Sequence, residues 1–105
     1  MITLRTSVVF EWDSGNIGKN KKKHGVDEKE AEEAFFDAGK VMYKDTFHSL
    51  KEERYIMLGE TKMKRLLFVV FTKRKKKIRI ISARDVNRKE VSLYEKKARG
   101  AKIQK

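Results

Sequence analysis

Between Phe71 and Asp85 the chain reads FTKRKKKIRIISARD. Five consecutive cations, Lys73 to Lys77, lead into an apolar segment that carries Arg79 and Arg84, and Arg54 lies upstream on another such segment. Arginine keeps its charge at every physiological pH, and its planar fork can hold two phosphate oxygens at once. Lysine adds a point charge with little geometric selectivity. Together these residue types suit a site that grips a polyanion. His24 and His48 are the only side chains whose ordinary pKa lies near neutrality. His24 falls at the end of a predicted helix, where an imidazolium over the last carbonyls is a sufficient structural reason for it and proton transfer is the alternative. His48 falls in a polar loop, where solvation is the ordinary fate. Two isolated histidines and acids on a helix surface do not make a divalent metal site. No glycine-rich phosphate loop is present, so no cofactor is expected.

The charge balance extends the same theme. The 105 residues carry a formal net charge of +12 and contain neither cysteine nor proline. That length suits a single domain, 1–105, with 1–7 as an N-terminal extension and 100–105 as a basic tail. Without cysteine there is no disulfide framework and no thiolate ligand or nucleophile. From Arg54 to Lys105 there are 18 Lys or Arg residues against four acids, whereas Asp27 to Asp37 holds six acids against one lysine. A cationic half of this size implies a polyanionic partner, nucleic acid first. No apolar run approaches the roughly 20 residues that span a bilayer, and MITLRTSVVFEWD does not read as a signal peptide. A cytoplasmic protein with no membrane partner is the expectation.

The elements that must carry these residues follow from periodicity. VVFEW (Val8 to Trp12) predicts a strand, followed by a turn at DSGN (Asp13 to Asn16) and a short polar helix over Ile17 to His24 that Gly25 ends. Asp27 with Glu30 predicts a capping box. Ala31, Ala34, Phe35 and Ala38 then form one helical stripe that stops at Gly39. Strands are predicted over 40–44, 53–59, 66–72 and 78–83, the third apolar on both faces and therefore central. The last two form a hairpin across the lysines, and 86–99 predicts a helix with Val91, Tyr94 and Ala98 on one face. The order βααββββα implies an α+β domain, with helices packed on one face of a mainly antiparallel sheet. In a regular last strand, Arg79 and Arg84 point to opposite faces; only a bulge, or a strand end before Arg84, aligns them.

Read in order, the motifs are FEWD (Phe10 to Asp13), KHGV (Lys23 to Val26), Ala31 with Phe35, and HSLKEER (His48 to Arg54). Gly59, VVFTKR (Val69 to Arg74), IRIISAR (Ile78 to Arg84), Glu90 and Tyr94-Glu95 complete the set. This series resembles the BrnT family of bacterial toxins over residues 8 to 95. The resemblance implies a RelE-like fold and a ribonuclease that arrests translation. It also implies a BrnA-like antitoxin that neutralises the toxin and supplies the contact with operator DNA. Ser14, Glu28 and Ala38 stand where the family usually has proline, an aromatic residue and proline, all at turns or caps rather than on the basic strands.

Cleaving RNA without a metal requires a base for the 2′-hydroxyl, an acid for the leaving 5′-oxygen and cations for the phosphorane between them. On that reading the catalytic candidates are Arg54, Arg74, Arg79 and Arg84, with Tyr94 and His24 as further possibilities. Lys73, Lys75, Lys76, Lys77 and Ser82 are the candidates for holding RNA. For Tyr94 the alternative is a place in the core; for Arg79 it is an ion pair with Glu53 or Glu90. Composition alone supports a non-catalytic nucleic-acid-binding or protein-interaction module equally well.

Overall fold

The computed structural model describes residues 8–47 and 52–103; His48 and Ser49 lie outside them. The chain forms β1 (Val9–Phe10), α1 (Lys19–His24), α2 (Glu28–Ala34), β2 (Val41–Lys44), β3 (Arg54–Glu60), β4 (Leu66–Arg74), β5 (Lys77–Asp85) and α3 (Arg88–Ile103). The strands make one sheet in the order β1-β5-β4-β3-β2, antiparallel except where β1 runs parallel to β5. Strand β4, apolar on both parities, is the central one.

Alternation along the strands builds the main core. Tyr55, Met57 and Gly59 of β3 face the same side as Leu67, Val69 and Phe71 of β4, and their cross-strand partners Ile80 and Ala83 complete that surface. Helix α2 lies on it. The capping box at its start is as the spacing predicts, with Asp27 accepting the Glu30 N–H and Glu30 accepting the Asp27 N–H. Ala31, Ala34 and Phe35 are buried against the sheet, and the Phe35 ring meets Phe71 edge-on at 4.9 Å. Such aromatic pairs add about 1 kcal/mol beyond the area they bury. A Cβ on Gly59 would stand 2.4 Å from the Ala34 carbonyl oxygen, so only glycine lets the helix approach this closely.

Helix α2 ends earlier than the alanine stripe predicts, at Ala34 rather than near Ala38. The Phe35, Phe36 and Asp37 N–H groups reach back three residues instead of four, which tightens and terminates the turn. Asp37 then takes over, accepting the N–H of Gly39 and that of Glu60 on β3.

The expectation that the helices share one face is corrected. Ala83 belongs to the α2 side, yet its neighbour Arg84 projects from the opposite face and pairs with Glu90 of α3. Leu58, between Met57 and Gly59, is likewise fully buried on that second side. Helix α3 therefore packs across the face opposite α1 and α2.

Strand β1 is only two residues long, which leaves the outer backbone groups of β5 without a strand beside them. Two asparagines replace it. Buried Asn16 donates to the Glu11 carbonyl (2.9 Å) and the Ile80 carbonyl (3.0 Å), and accepts the Asp13 N–H (2.8 Å). Asn20, one helical turn on, accepts the Ala83 N–H at 3.1 Å. Buried backbone groups require partners, and these side chains supply them.

Candidate active site

The parity problem on the last strand is resolved by a bulge. Val70 pairs with Ser82, but Phe71 pairs with Ile80, so Ile81 is an extra residue in β5. That insertion rotates the strand by one residue. Arg79 then lies opposite Thr72, Ser82 opposite Val70 and Arg84 opposite Phe68, all on the face that bears α3. Thr72 is also the partner of Arg54, and Arg74 is the partner of Lys77. Arg54, Arg74, Arg79 and Lys77 thus share one end of one face.

The arginines there do not stand alone. Arg79 grips Asp13 through two hydrogen bonds of 2.9 Å and donates to Glu11 Oε1 at 3.2 Å. Arg74 grips Glu52 through two bonds of 3.1 Å, and its Nη1 lies 3.6 Å from the same Glu11 oxygen. The hydrogen bonds from Arg79, with the Gly15 N–H behind them, hold the Asp13 carboxyl below its ordinary range. Arg74 does the same for Glu52, and the charges of Arg54 and Arg79 add to the effect. A Cβ on Gly15 would stand 2.6 Å from Arg79 Nη2, so the guanidinium lies directly on that backbone. The expected partners of Arg79, Glu53 and Glu90, are corrected to Glu11 and Asp13.

The lysine run divides at the hairpin. Lys75 and Lys76 form a two-residue turn, with Lys75 in the left-handed region at φ 57°. Lys75, Lys76 and Lys77 are exposed beside Arg74. Lys73 points to the opposite face, where its ammonium lies 5.3 Å from the centre of the Tyr55 ring.

Three of the candidate residues lie elsewhere. Arg84 is on the same face but four residues along from the level of Arg79, roughly 13 Å at the usual strand rise. There its guanidinium covers the Phe68 ring at 3.9 Å and makes two bonds of 2.9 Å to Glu90. Burial pushes Glu90 up, but Arg84 and the Asn87 N–H outweigh it, and the carboxyl stays below its ordinary range. Glu90 also closes a capping box with Asn87 at the start of α3. Tyr94 donates to Asp37 at 2.5 Å, beside Glu60, at the far end of β3 from Arg54. Burial and the Asp37 carboxylate both raise its pKa, so the phenol keeps its proton. His24 sits at the Asp85 end of β5, roughly 20 Å along the strand from Arg79. The carbonyls of His24 and Gly25 accept from Arg65 rather than from an imidazolium.

Reading the sequence missed the acidic half of the cluster. Glu11 and Asp13, two residues apart in FEWD, carry the same-side spacing of an extended chain, but nothing local says that Arg79 lies across from them. It also missed Arg65, which joins Glu30 of α2, Gly25 and Asp85 of β5 in one partly exposed network. Among the described residues, no three His, Cys, Asp or Glu side chains are grouped to hold a metal ion, and no helix is long and apolar enough to cross a membrane.

Comparison with known proteins gives these features a context. Residues 12–90 match the family model described as ribonuclease toxin, BrnT, of type II toxin-antitoxin system. No similar curated protein is found. The matched span begins at Trp12 and closes at Glu90, and so includes Asp13, Glu52, Arg54, Arg74, Arg79, Arg84 and the lysine turn. The chain belongs to the BrnT family of ribonuclease toxins.

Proposed function

We propose that this protein is an endoribonuclease with a RelE-like fold that cuts RNA without a metal ion and thereby arrests translation in the cytoplasm. One observation carries the reading: Arg74 and Arg79 both approach a single oxygen of Glu11, at 3.6 and 3.2 Å. Two guanidinium groups held that close together match the spacing of the oxygens around one phosphorus. Arg54 flanks them on the same face, and Lys75 to Lys77 extend positive charge outward from them. RNA that enters exchanges its phosphate for the carboxylates of Asp13 and Glu52 on the exposed sides of the forks.

Arg84 and Ser82 continue the face toward α3 and serve RNA tracking rather than the reacting phosphate. Tyr94 and His24 support the scaffold. A BrnA-like antitoxin neutralises the protein and alone carries the contact with operator DNA; the charge of +12 favours an acidic surface on that partner.

The test is incubation of the purified protein with single-stranded RNA of mixed sequence in the presence of a chelator, beside an Arg74→Ala/Arg79→Ala variant. Cleavage by the wild type and its loss in the variant support the proposal. Intact RNA with salt-dependent binding instead supports a non-catalytic binding module. That reading draws on the fact that Arg74, Arg79 and Arg84 already have acidic partners.

A further inference from the structure

Cleavage through the 2′-hydroxyl needs a proton acceptor within hydrogen-bond reach of the reacting phosphate. Among the described residues, His24 lies at the other end of β5, and the proton acceptors beside Arg74 and Arg79 are acids. Three carboxylates are present, and their geometries differ. Both oxygens of Asp13 are filled by the Arg79 fork, and Oδ1 also takes the Gly15 N–H at 2.8 Å. Both oxygens of Glu52 are filled by the Arg74 fork. Glu11 differs: both guanidinium contacts fall on Oε1, leaving Oε2 outside either fork.

Glu11 is also anchored through its backbone to the strand that carries Arg79. Its N–H donates to the Ile78 carbonyl at 2.8 Å, and its own carbonyl accepts from buried Asn16 at 2.9 Å. The residue is therefore pinned on both sides to β5, the strand that carries Arg79. Its side chain is 28% exposed, enough for contact with a bound ribose but shielded on the remaining sides. Resting on the ribonuclease reading, we infer that Glu11 is the catalytic base, taking the proton of the attacking 2′-hydroxyl through Oε2, the oxygen outside both forks.

The step balances without an added reactant. Glu11 takes the proton as the 2′-oxygen bonds to phosphorus. Arg74 and Arg79 hold the non-bridging oxygens through the phosphorane. The bond from phosphorus to the 5′-oxygen breaks, and that oxygen takes a proton from solvent water. The products are a 2′,3′-cyclic phosphate and a 5′-hydroxyl end, and Glu11 returns its proton to solvent.

Glu11→Gln keeps the shape and removes the basicity, which makes it the decisive variant. Rates on single-stranded RNA of mixed sequence are measured with chelator from about pH 3 to 8, a span that contains the ordinary carboxylate range and its surroundings. The charged groups that face or flank Glu11 are Arg74, Arg79, Asp13, Glu52 and Arg54, and none of these arginines titrates in that span. Wild type is expected to gain activity as pH rises from the acid end of that span, as a carboxylate base requires. In Glu11→Gln the turnover rate drops about 100-fold, the acid-side rise disappears and RNA binding is unchanged or tighter.

If the glutamine disturbs the arginine pair, Glu11→Asp retains a carboxylate and should keep the acid-side rise at a reduced rate. Cleavage by Glu11→Gln within about threefold of wild type, with an unchanged pH profile, overturns the assignment and leaves the ribonuclease reading intact; the threshold lies well below the usual contribution of a base. Wild type that leaves RNA whole overturns both.

Discussion

Arg79 and Asp13 lie 66 residues apart in the chain and meet through two hydrogen bonds of 2.9 Å each. The pair joins the turn after β1 to the far side of the hairpin, and the Arg79 side chain is only 13% exposed against 48% for Arg74. Its fork geometry, more than its charge, defines what the site can hold.

Arg79→Lys is accordingly expected to fail as a replacement. An ammonium cannot span Asp13 and Glu11, nor two phosphate oxygens, in the same way. Cleavage should fall about 100-fold, in the range seen when one transition-state donor is removed. The thermal midpoint should move by only a few degrees, because the Asp13 end of the pair is exposed. Initial rates and a melting curve on the same preparation separate the two effects.

Gly15→Ala tests the contact between that guanidinium and the backbone. The added methyl would lie 2.6 Å from Arg79 Nη2, and the flexible arginine end would give way. Stability should change little, while cleavage falls at least about tenfold because a shift of about 1 Å misplaces the phosphate. Unimpaired cleavage would mean that the Arg79 position is not critical.

Asn16→Ala should act in the reverse sense, on stability first. It removes the partner of the Ile80 and Glu11 carbonyls and of the Asp13 N–H. Leaving these groups unsatisfied at a buried site is expected to destabilise by about 3 kcal/mol. Urea denaturation measures this directly, with the midpoint falling and the slope unchanged.

The pH dependence of stability centres on Arg65. Its hydrogen bonds to Asp85 hold that carboxyl below the ordinary 3.8 in the folded chain. A lowered folded-state pKa means that the unfolded chain binds the proton more readily in acid. The stabilisation is therefore fully present well above pH 3.8 and is lost as pH falls through the lowered value. Asp85→Asn should be less stable at neutral pH and lose less stability on acidification; denaturation midpoints between about pH 2 and 7 bracket the whole change. Parallel acid curves for the two proteins would assign the acid sensitivity to other carboxylates.

Much of this molecule is written in local pattern. The capping box at Asp27, the helix end at Gly25, the hairpin across the lysines and the central position of β4 follow from residue types and spacings a few positions apart. Such features depend on backbone preferences and on which face must be apolar, and both can be read along the chain. The cationic character of the surface follows from composition in the same way. Partners across long loops are decided differently. The bulge at Ile81, which turns Arg79 and Arg84 to one face, depends on the register against β4 and on no signal within IRIISAR. The choice of Glu11 and Asp13 for Arg79, Glu90 for Arg84 and Asp37 for Tyr94 depends on where β1 and α3 dock. Charge pairing has no period and its candidates are many in a chain that is 40% charged, so only the packed structure selects among them.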